Sequence, residues 1–424
     1  MMGRPVRLRR TLNLFDAVSM GLGAIIGAGI FVIVGIAAGM AGPGVVYSVI
    51  IAGVVSLFTA LSFAELCSVI PEEGGAYEYS FKVLSPFLGF MTGWMLIFGS
   101  IVGGAAVSLG LADYLAFLMS FPANLLAVGT CLLFTLVNLI GARQSKIAND
   151  VLVILKVAIL LLFIVLAAPH IKLSNFSNLL PNGMSGVISG AALMMFAYLG
   201  YCNIATISEE VVNPEKTLPR SILISLALSA VLYLLVGFVA VGVVDYKELS
   251  SSGSPLADVM NVTGNETAAW LVSLGAIFAT ATVLHIIILS VSRIFYSMSR
   301  NRQLPNVVNK IHPRFMTPYI SILLAGIPMT ALAFVGNLKE VVALATFLVI
   351  VSHILVNYAA IKVNERTRPP FRIPFYPIPP ILGIITFAAL ALSLLPDIWP
   401  MATAVLLFGV VLYYIDTRLL KRKR

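Results

Sequence analysis

The sequence predicts an all-α polytopic membrane protein of about twelve transmembrane helices: two sets of five in opposite orientation, then two more at the C-terminal end. Three observations predict it. The chain is 59% hydrophobic and only 11% charged, with a mean hydropathy of +1.01, where soluble domains carry about 25% charged residues. Apolar stretches close to the roughly 20 residues that cross a bilayer recur along its 424 residues. The first and sixth of these stretches both carry helix-weakening or polar residues in mid-span, as expected of an inverted repeat with a site at the midplane.

Taken in order, the span cores are 16–39, 45–68, 86–118, 123–141, 148–168, 187–208, 221–244, 268–298, 319–336, 340–361, 378–395 and 399–416. Residues 1–14 form an N-terminal segment bearing Arg4, Arg7, Arg9 and Arg10. The apolar stretch that follows is too long for a signal peptide and lacks a cleavage site, so it is expected to stay as the first span. Residues 15–168 make the first five-helix repeat and 187–361 the second, inverted one; 373–416 hold two peripheral helices and 417–424 a basic tail. Spans three and eight run long and are expected to tilt.

The net charge of +9 does not point to nucleic acid, because the basic residues are spread through short loops. With the N-terminus inside, the inner loops hold the four N-terminal arginines, Lys82, Arg143, Lys146, Lys216, Arg220, Arg293, Arg300, Arg302, Lys310, Arg314, Lys362, Arg366, Arg368, Arg372, Arg418 and the Lys421-Arg-Lys-Arg424 tail. The outer loops hold Lys172, Lys247 and Lys339. This asymmetry predicts a cell-membrane protein with both termini cytoplasmic. Of the two long outer loops, 169–185 is rich in Asn and Ser. The other, 245–267, carries Asn261-Val-Thr263 and Asn265-Glu-Thr267, sequon matches of a kind common by chance. Cys67, Cys131 and Cys202 fall in or beside apolar stretches and read as small core residues, not as a disulfide frame or metal site.

Span one reads Gly21-Leu-Gly23-Ala-Ile-Ile-Gly27-Ala28-Gly29-Ile-Phe31. Each glycine weakens a helix by about 1 kcal/mol. Small residues four apart, such as Gly23 and Gly27, also serve close helix packing. An unwound segment here would leave backbone N–H groups at the start of a half-helix, suited to a carboxylate. Span six reads Met195-Phe-Ala-Tyr198-Leu-Gly200-Tyr-Cys-Asn203. It is either a buried polar patch or a second break whose freed carbonyls take an ammonium group, with Phe196 as an apolar lid. Two such breaks together suit a zwitterion. Glu209 and Glu210, at the end of span six, oppose its dipole and read locally as a solvated loop.

Lys156 stands in the apolar run Val151-Leu-Val-Ile-Leu-Lys156-Val-Ala-Ile-Leu-Leu-Leu-Phe163. A charge at that depth costs a few kcal/mol or more. Snorkelling would have to cover about 12 Å to the end of the span, about twice the reach of a lysine. Burial disfavours the charged form of an amine and so allows proton exchange. His285 and His353 are the other mid-span ionisable groups; packing is the commoner role for such histidines. Arg293 reads as topological, and Thr280 and Thr282 as hydroxyls near a cation position.

Four stretches in order resemble the amino acid–polyamine–organocation (APC) superfamily, and within it the prokaryotic proton-coupled relatives of the cationic amino-acid transporters. They are Gly23-Ala-Ile-Ile-Gly27-Ala-Gly29-Ile-Phe31; Phe63-Ala-Glu65 through Pro71, Gly74, Gly75, Ala76 and Tyr77; Val153-Ile-Leu-Lys156-Val-Ala; and Phe196-Ala-Tyr198-Leu-Gly200 with Glu209-Glu210-Val-Val-Asn213-Pro214. The resemblance runs from Asp16 to about Pro374 and implies a LeuT-like 5+5 inverted repeat. Spans 1, 2, 6 and 7 would rock against 3, 4, 8 and 9, with 5 and 10 as gating arms. It implies that an amino-acid carboxylate contacts Ile25, Gly27, Ala28 and Gly29, and that the amine and side chain contact Phe196, Ala197, Tyr198 and Leu199. It also implies that Lys156 approaches the Gly23 carbonyl where other carriers hold sodium, so that a proton is the coupling ion and no cofactor or metal is needed.

Departures from the family pattern narrow the expectation. Ala28 stands where many relatives have Ser or Thr, and Tyr201-Cys202 where some have an aromatic residue and Asp. Relatives that resemble arginine and lysine carriers place a Glu about five residues after a Gly-Trp pair. After Gly93-Trp94 this chain has no acid, nor anywhere in 91–112. The expected substrates are therefore neutral L-amino acids taken up with protons, the alternatives being an uncoupled exchanger or a cationic amino-acid or polyamine carrier. Ser120-Phe-Pro-Ala-Asn124 holds no cysteine, so no disulfide-linked subunit is expected; the oligomeric state is open. Enzyme motifs such as His-Glu-x-x-His or Gly-x-Gly-Asp are lacking, and a channel would not explain paired breaks.

Overall fold

The computed structural model describes residues 10–72, 74–119, 121–141 and 146–421. Arg4, Arg7, Arg9, Ser120, Arg143 and the tail residues 422–424 lie outside the described residues, as do the side chains of Glu209, Arg418 and Lys421. The fifteen α-helices among the described residues are α1 (Leu14–Ile25), α2 (Val34–Ala41), α3 (Val45–Val69), α4 (Ala76–Val83), α5 (Pro86–Leu118), α6 (Ala123–Ile140), α7 (Lys146–Ala167), α8 (Gly183–Tyr198), α9 (Pro214–Val243), α10 (Tyr246–Ser251), α11 (Pro255–Val262), α12 (Glu266–Arg300), α13 (Tyr319–Val335), α14 (Leu338–Arg366) and α15 (Ile378–Lys421). The β-structure among the described residues is one isolated bridge, Leu12 to Val211. A chain that buries its backbone in hydrocarbon must satisfy its own amides, which helices do within one segment.

Among the described residues, ten helical stretches are long and apolar enough to cross a membrane. Leu14–Val69 counts among them as one 56-residue stretch, although residues 26–28 and the Gly42–Gly44 turn interrupt it and it makes two passes. Tyr319–Val335 falls just short of the length criterion, and α15 contributes two stretches, Ile378–Pro396 and Ile398–Ile415. Read this way, the passes coincide with the twelve spans of the sequence. The architecture is all-α and polytopic.

Two groups of helices form the interior. In one, α3 packs on α8 and α9, and α1 packs on α9; in the other, α5, α6, α12 and α13 all pack on one another. α7 touches both groups through α12 and through α1 and α9, and α14 does so through α5 and α3. α15 lies outside, against α14 and α3. The buried face of α7 carries Asn149, Val153, Lys156, Leu160, Phe163 and Ala167, spaced three or four apart as one helical stripe. Ile154, Leu155, Leu161 and Val165 cover its exposed face. Lys156 therefore sits on the inward stripe. Helix starts are fixed by Asn13, Ser85, Asn265 and Asn337, whose side chains accept from first-turn amides.

Candidate substrate site

The first break is sharp. α1 ends at Ile25, Ile26 is extended with φ −77° and ψ 101°, and the chain re-enters a helix through a π-turn at Gly29–Ile33. The last carbonyls of a helix and the first amides of the next have no partners within their own helices. The carbonyls find specific ones. Leu22 O accepts from Ile26 N at 2.8 Å. Lys156 Nζ donates to Gly23 O at 3.1 Å and to Ile26 O at 3.2 Å. Tyr233 Oη, on α9, donates to Ile25 O at 2.7 Å and lies 3.3 Å from Ala197 O. Lys156 is 1% exposed, and its ammonium is spent on the broken end of α1, not directed along α7 to the membrane edge. Gly27, Ala28 and Gly29 stand at the start of the second half-helix, whose first amides have no partner within it.

The second break differs from the expected unwound gap. α8 ends at Tyr198 and a 3₁₀ helix continues for twelve residues, Leu199–Glu210. Such runs rarely exceed three or four residues and mark hinges or strain. A change of pitch re-pairs most carbonyls at i+3, so it frees fewer acceptors than a true gap. The two breaks touch directly. A Cβ on Gly29 would lie 2.3 Å from Ala197 Cα, and one on Gly200 would lie 2.3 Å from Ala24 O.

A cavity of about 940 Å³, counting its open mouth, lies beside the breaks. Ile25, Gly27, Ala28, Gly29, Phe196 and Leu199 line it. Ala197 and Tyr198 are not in its wall: Ala197 closes the contact to Gly29, and Tyr198 points to α3, donating to Val49 O at 3.2 Å. Helical pitch explains the miss, since consecutive residues of α8 face about 100° apart. Gly23 is also outside the wall, behind α1, where it meets Lys156. The opposite walls come from Leu96, Gly99, Ser100, Gly103 and Val107 of α5, Val283 and Ile287 of α12, and Ala345 and Val349 of α14. Among the described residues, no lining residue is charged.

The cavity reaches Gly74, Gly75, Asn203 and Thr206, at the end where α1 begins and α3 finishes. Beyond its other end the helices are shut. Tyr114 Oη donates to Phe31 O at 2.7 Å, with the two rings edge to face at 6.3 Å, and a Cβ on Gly35 would lie 2.6 Å from Leu249 O, where α10 packs on α2. At the open end Arg293 Nη1 donates to Thr206 O at 3.2 Å, and Arg293 lies 3.9 Å from Glu210. Glu210 O accepts from Thr11 N and Leu12 N at 2.9 and 3.0 Å. The sequence reading of a solvated loop here is corrected: Glu210 joins the N-terminal segment, the 3₁₀ helix and α12. Arg293, read as topological, crosses the same seam. α1 is also tied to α7, through buried Asp16 and Lys146 at 2.7 Å.

Other candidates fall away from the cavity. Thr280 and Thr282 bond back to carbonyls of their own helix. His285 Nδ1 accepts from Asn138 Nδ2 at 3.0 Å, between α12 and α6. His353 is buried among Phe63, Tyr201 and Phe387, and its ring nitrogens have no hydrogen-bond partner among the described residues. Cys67, Cys131 and Cys202 are free thiols, and Cys202 lines the cavity. Sequence reasoning missed Tyr233 and Ile26. A tyrosine on α9 carries no local signal, because its partners lie 208 and 36 residues away.

Tyr233→Phe is expected to leave Ile25 O a buried acceptor without its donor, at a cost of about 1–3 kcal/mol. A lowered thermal midpoint with the fold retained checks this.

Residues 12–415 match the amino acid permease family. The methylthioribose transporter of Bacillus subtilis (strain 168) is 34% identical over 434 residues, covering 97% of this chain and 94% of that protein. The branched-chain amino acid permease of the same organism is 32% identical over 438 residues with the same coverage of both. Cationic amino acid transporter 4 of Mus musculus is 31% identical over 390 residues, 86% of this chain and 61% of that protein. With the fold, the paired breaks and a family match over nearly its whole length, the chain belongs to the amino acid permease family of the APC superfamily, whose members are membrane transporters and not enzymes.

Proposed function

We propose that the protein carries neutral L-amino acids across the cell membrane by proton-coupled symport with alternating access. The observation that carries this reading is the cavity, whose lining among the described residues is uncharged and includes Gly27, Ala28 and Gly29 at the start of the second half-helix, where the first amides have no partner within the helix. Those amides suit a carboxylate. The carbonyl side of the breaks and the helix dipoles suit an amine. A cationic side chain would need a buried partner that the lining, among the described residues, lacks. The relative named for branched-chain amino acids supports this reading, while those named for cationic amino acids fit the alternative. A relative named for methylthioribose is in keeping with an uncharged cavity.

In this mechanism the protonated Lys156 holds the broken end of α1 through Gly23 O and Ile26 O, and loss of its proton releases that end. α1, α3, α8 and α9 move against α5, α6, α12 and α13, with α7 and α14 as arms. Residues 15–168 and 187–361 act as inverted repeats. The basic loops put both termini in the cytoplasm, so the open mouth at Gly74 and Thr206 faces inward and the contacts around Tyr114 close the outside. Arg293, Thr206 and Glu210 form the seam that the mouth must rearrange.

The test is a thermal-shift screen of the purified protein against the common amino acids and polyamines, followed by uptake into liposomes with and without an inward proton gradient. Ligands stabilise by mass action. Stabilisation by neutral amino acids and gradient-driven accumulation are the expected results. Stabilisation by arginine, lysine or polyamines alone would replace the neutral reading, and counterflow without any gradient response would make the carrier an exchanger.

A further inference from the structure

Phe196 lies directly on bare backbone. A Cβ built on Gly103 of α5 would sit 3.3 Å from Phe196 Cε2, 3.8 Å from its Cζ and 3.6 Å from Ala345 Cβ of α14. The first of these distances is tighter than nine in ten real Cβ contacts and the other two are ordinary contacts, so the ring keeps its position against α5 because Gly103 has no side chain, and the small Ala345 side chain borders the same spot. One turn earlier a Cβ on Gly99 would meet Val349 Cγ2 at 2.8 Å and Ala345 O at 3.2 Å, which means the two helices already touch there. On the next residue of α5 a Cβ on Gly104 would meet Met329 Cε at 2.3 Å, so that flank is filled as well. Anything that pushes the ring pushes it into the cavity. Leu96, Val107, Val283, Ile287 and Val349 line the same cavity with apolar side chains, and Ser100 and Ser290 add hydroxyls on α5 and α12; none of these offers the charged partner that a buried cationic side chain needs.

We propose that Gly103 and Ala345 are specificity-determining residues that seat Phe196 and so set the size of the side chain the cavity admits, and that the substrate class is L-amino acids with aliphatic side chains. This rests on the neutral amino-acid reading of the same cavity and deepens it. The α-amino and α-carboxylate groups are held at the breaks, so the remaining substituent projects toward α5, α14 and the Phe196 ring. A methyl group at position 103 moves the ring inward by a few tenths of an ångström and takes room from long side chains first. Ala345→Gly does the reverse.

The experiment is competitive uptake of alanine and leucine by liposomes containing the parent, Gly103→Ala or Ala345→Gly, with thermal unfolding of each variant as the folding check. One methylene in an apolar pocket changes discrimination by about tenfold or more. Gly103→Ala is expected to raise the KM for leucine by about tenfold relative to that for alanine, and Ala345→Gly to shift the ratio toward leucine. If the parent takes both amino acids but Gly103→Ala affects them equally, or not at all, the size filter is wrong while the neutral reading stands. If Gly103→Ala does not fold, Ala345→Gly decides: an unchanged ratio overturns the proposal. If the parent takes neither amino acid, the neutral reading itself falls, and the filter with it.

Discussion

Replacing Lys156 with alanine is expected to abolish accumulation of substrate under an inward proton gradient. The amine is buried and donates to two carbonyls at the broken end of α1. Among the described residues no acidic side chain shares that contact, so its charge is balanced by backbone dipoles. Such a cation can be given up and retaken as a proton, whereas a strong ion pair would hold it charged. Removing it leaves Gly23 O and Ile26 O without their donor, at a cost of about 1–3 kcal/mol for each buried acceptor, and, in the proposed mechanism, removes the group that links protonation to the position of α1. A carrier without that link only equilibrates its substrate. The measurement is uptake into liposomes with and without the gradient, and Lys156→Met serves as a second variant that retains the bulk of the side chain. Gradient-driven accumulation by both variants would rule out the coupling role.

Gly29→Ala is expected to separate the two breaks and to eliminate ligand binding. The added carbon would lie 2.3 Å from Ala197 Cα and 2.4 Å from Ala197 Cβ. Both neighbours are held by α8, so neither can yield as a flexible side-chain tip would. Overpacking of this kind costs about 1–3 kcal/mol, occasionally more, and here the strain falls on a segment that lines the cavity. The control is Gly129→Ala, on α6, where nothing lies within 4 Å of the added carbon; replacing a mid-helix glycine there is expected to be neutral or stabilising by about 0.5–1 kcal/mol. Thermal unfolding with and without amino acid separates the outcomes. A Gly29→Ala protein that is stabilised by ligand as strongly as the parent would show that the breaks need not touch for binding.

The local signals in the chain were strong where the physics is local. Apolar runs of bilayer length fixed the passes, and the glycines of 21–29 marked a break because a helix of glycines is weak wherever it stands. The second break was legible as a place but not as a conformation. Tyr198-Leu-Gly200-Tyr gives no sign that the chain will tighten to a 3₁₀ helix for twelve residues, because that pitch depends on packing against α1 at Ala24. Reading consecutive residues 196–199 as one surface overlooked the turn of the helix, which sends Tyr198 to α3 and leaves Phe196 and Leu199 on the cavity. Glu210 looked unfavourable at a helix end until its backbone met Thr11 and Leu12 and its side chain neared Arg293.

By itself the sequence determined the class of molecule, the order of its membrane passes, the site of the first break and the depth of the one lysine on its fifth pass. Composition and periodicity are properties of neighbouring residues, and hydrocarbon punishes any error in them directly. Only the tertiary structure decided which atoms meet: Lys156 with the carbonyls of Gly23 and Ile26, Tyr233 with Ile25, and the Phe196 ring with the bare backbone of Gly103. Those contacts join residues tens to hundreds of positions apart. Their geometry is set by how closely whole helices approach, which no local pattern encodes.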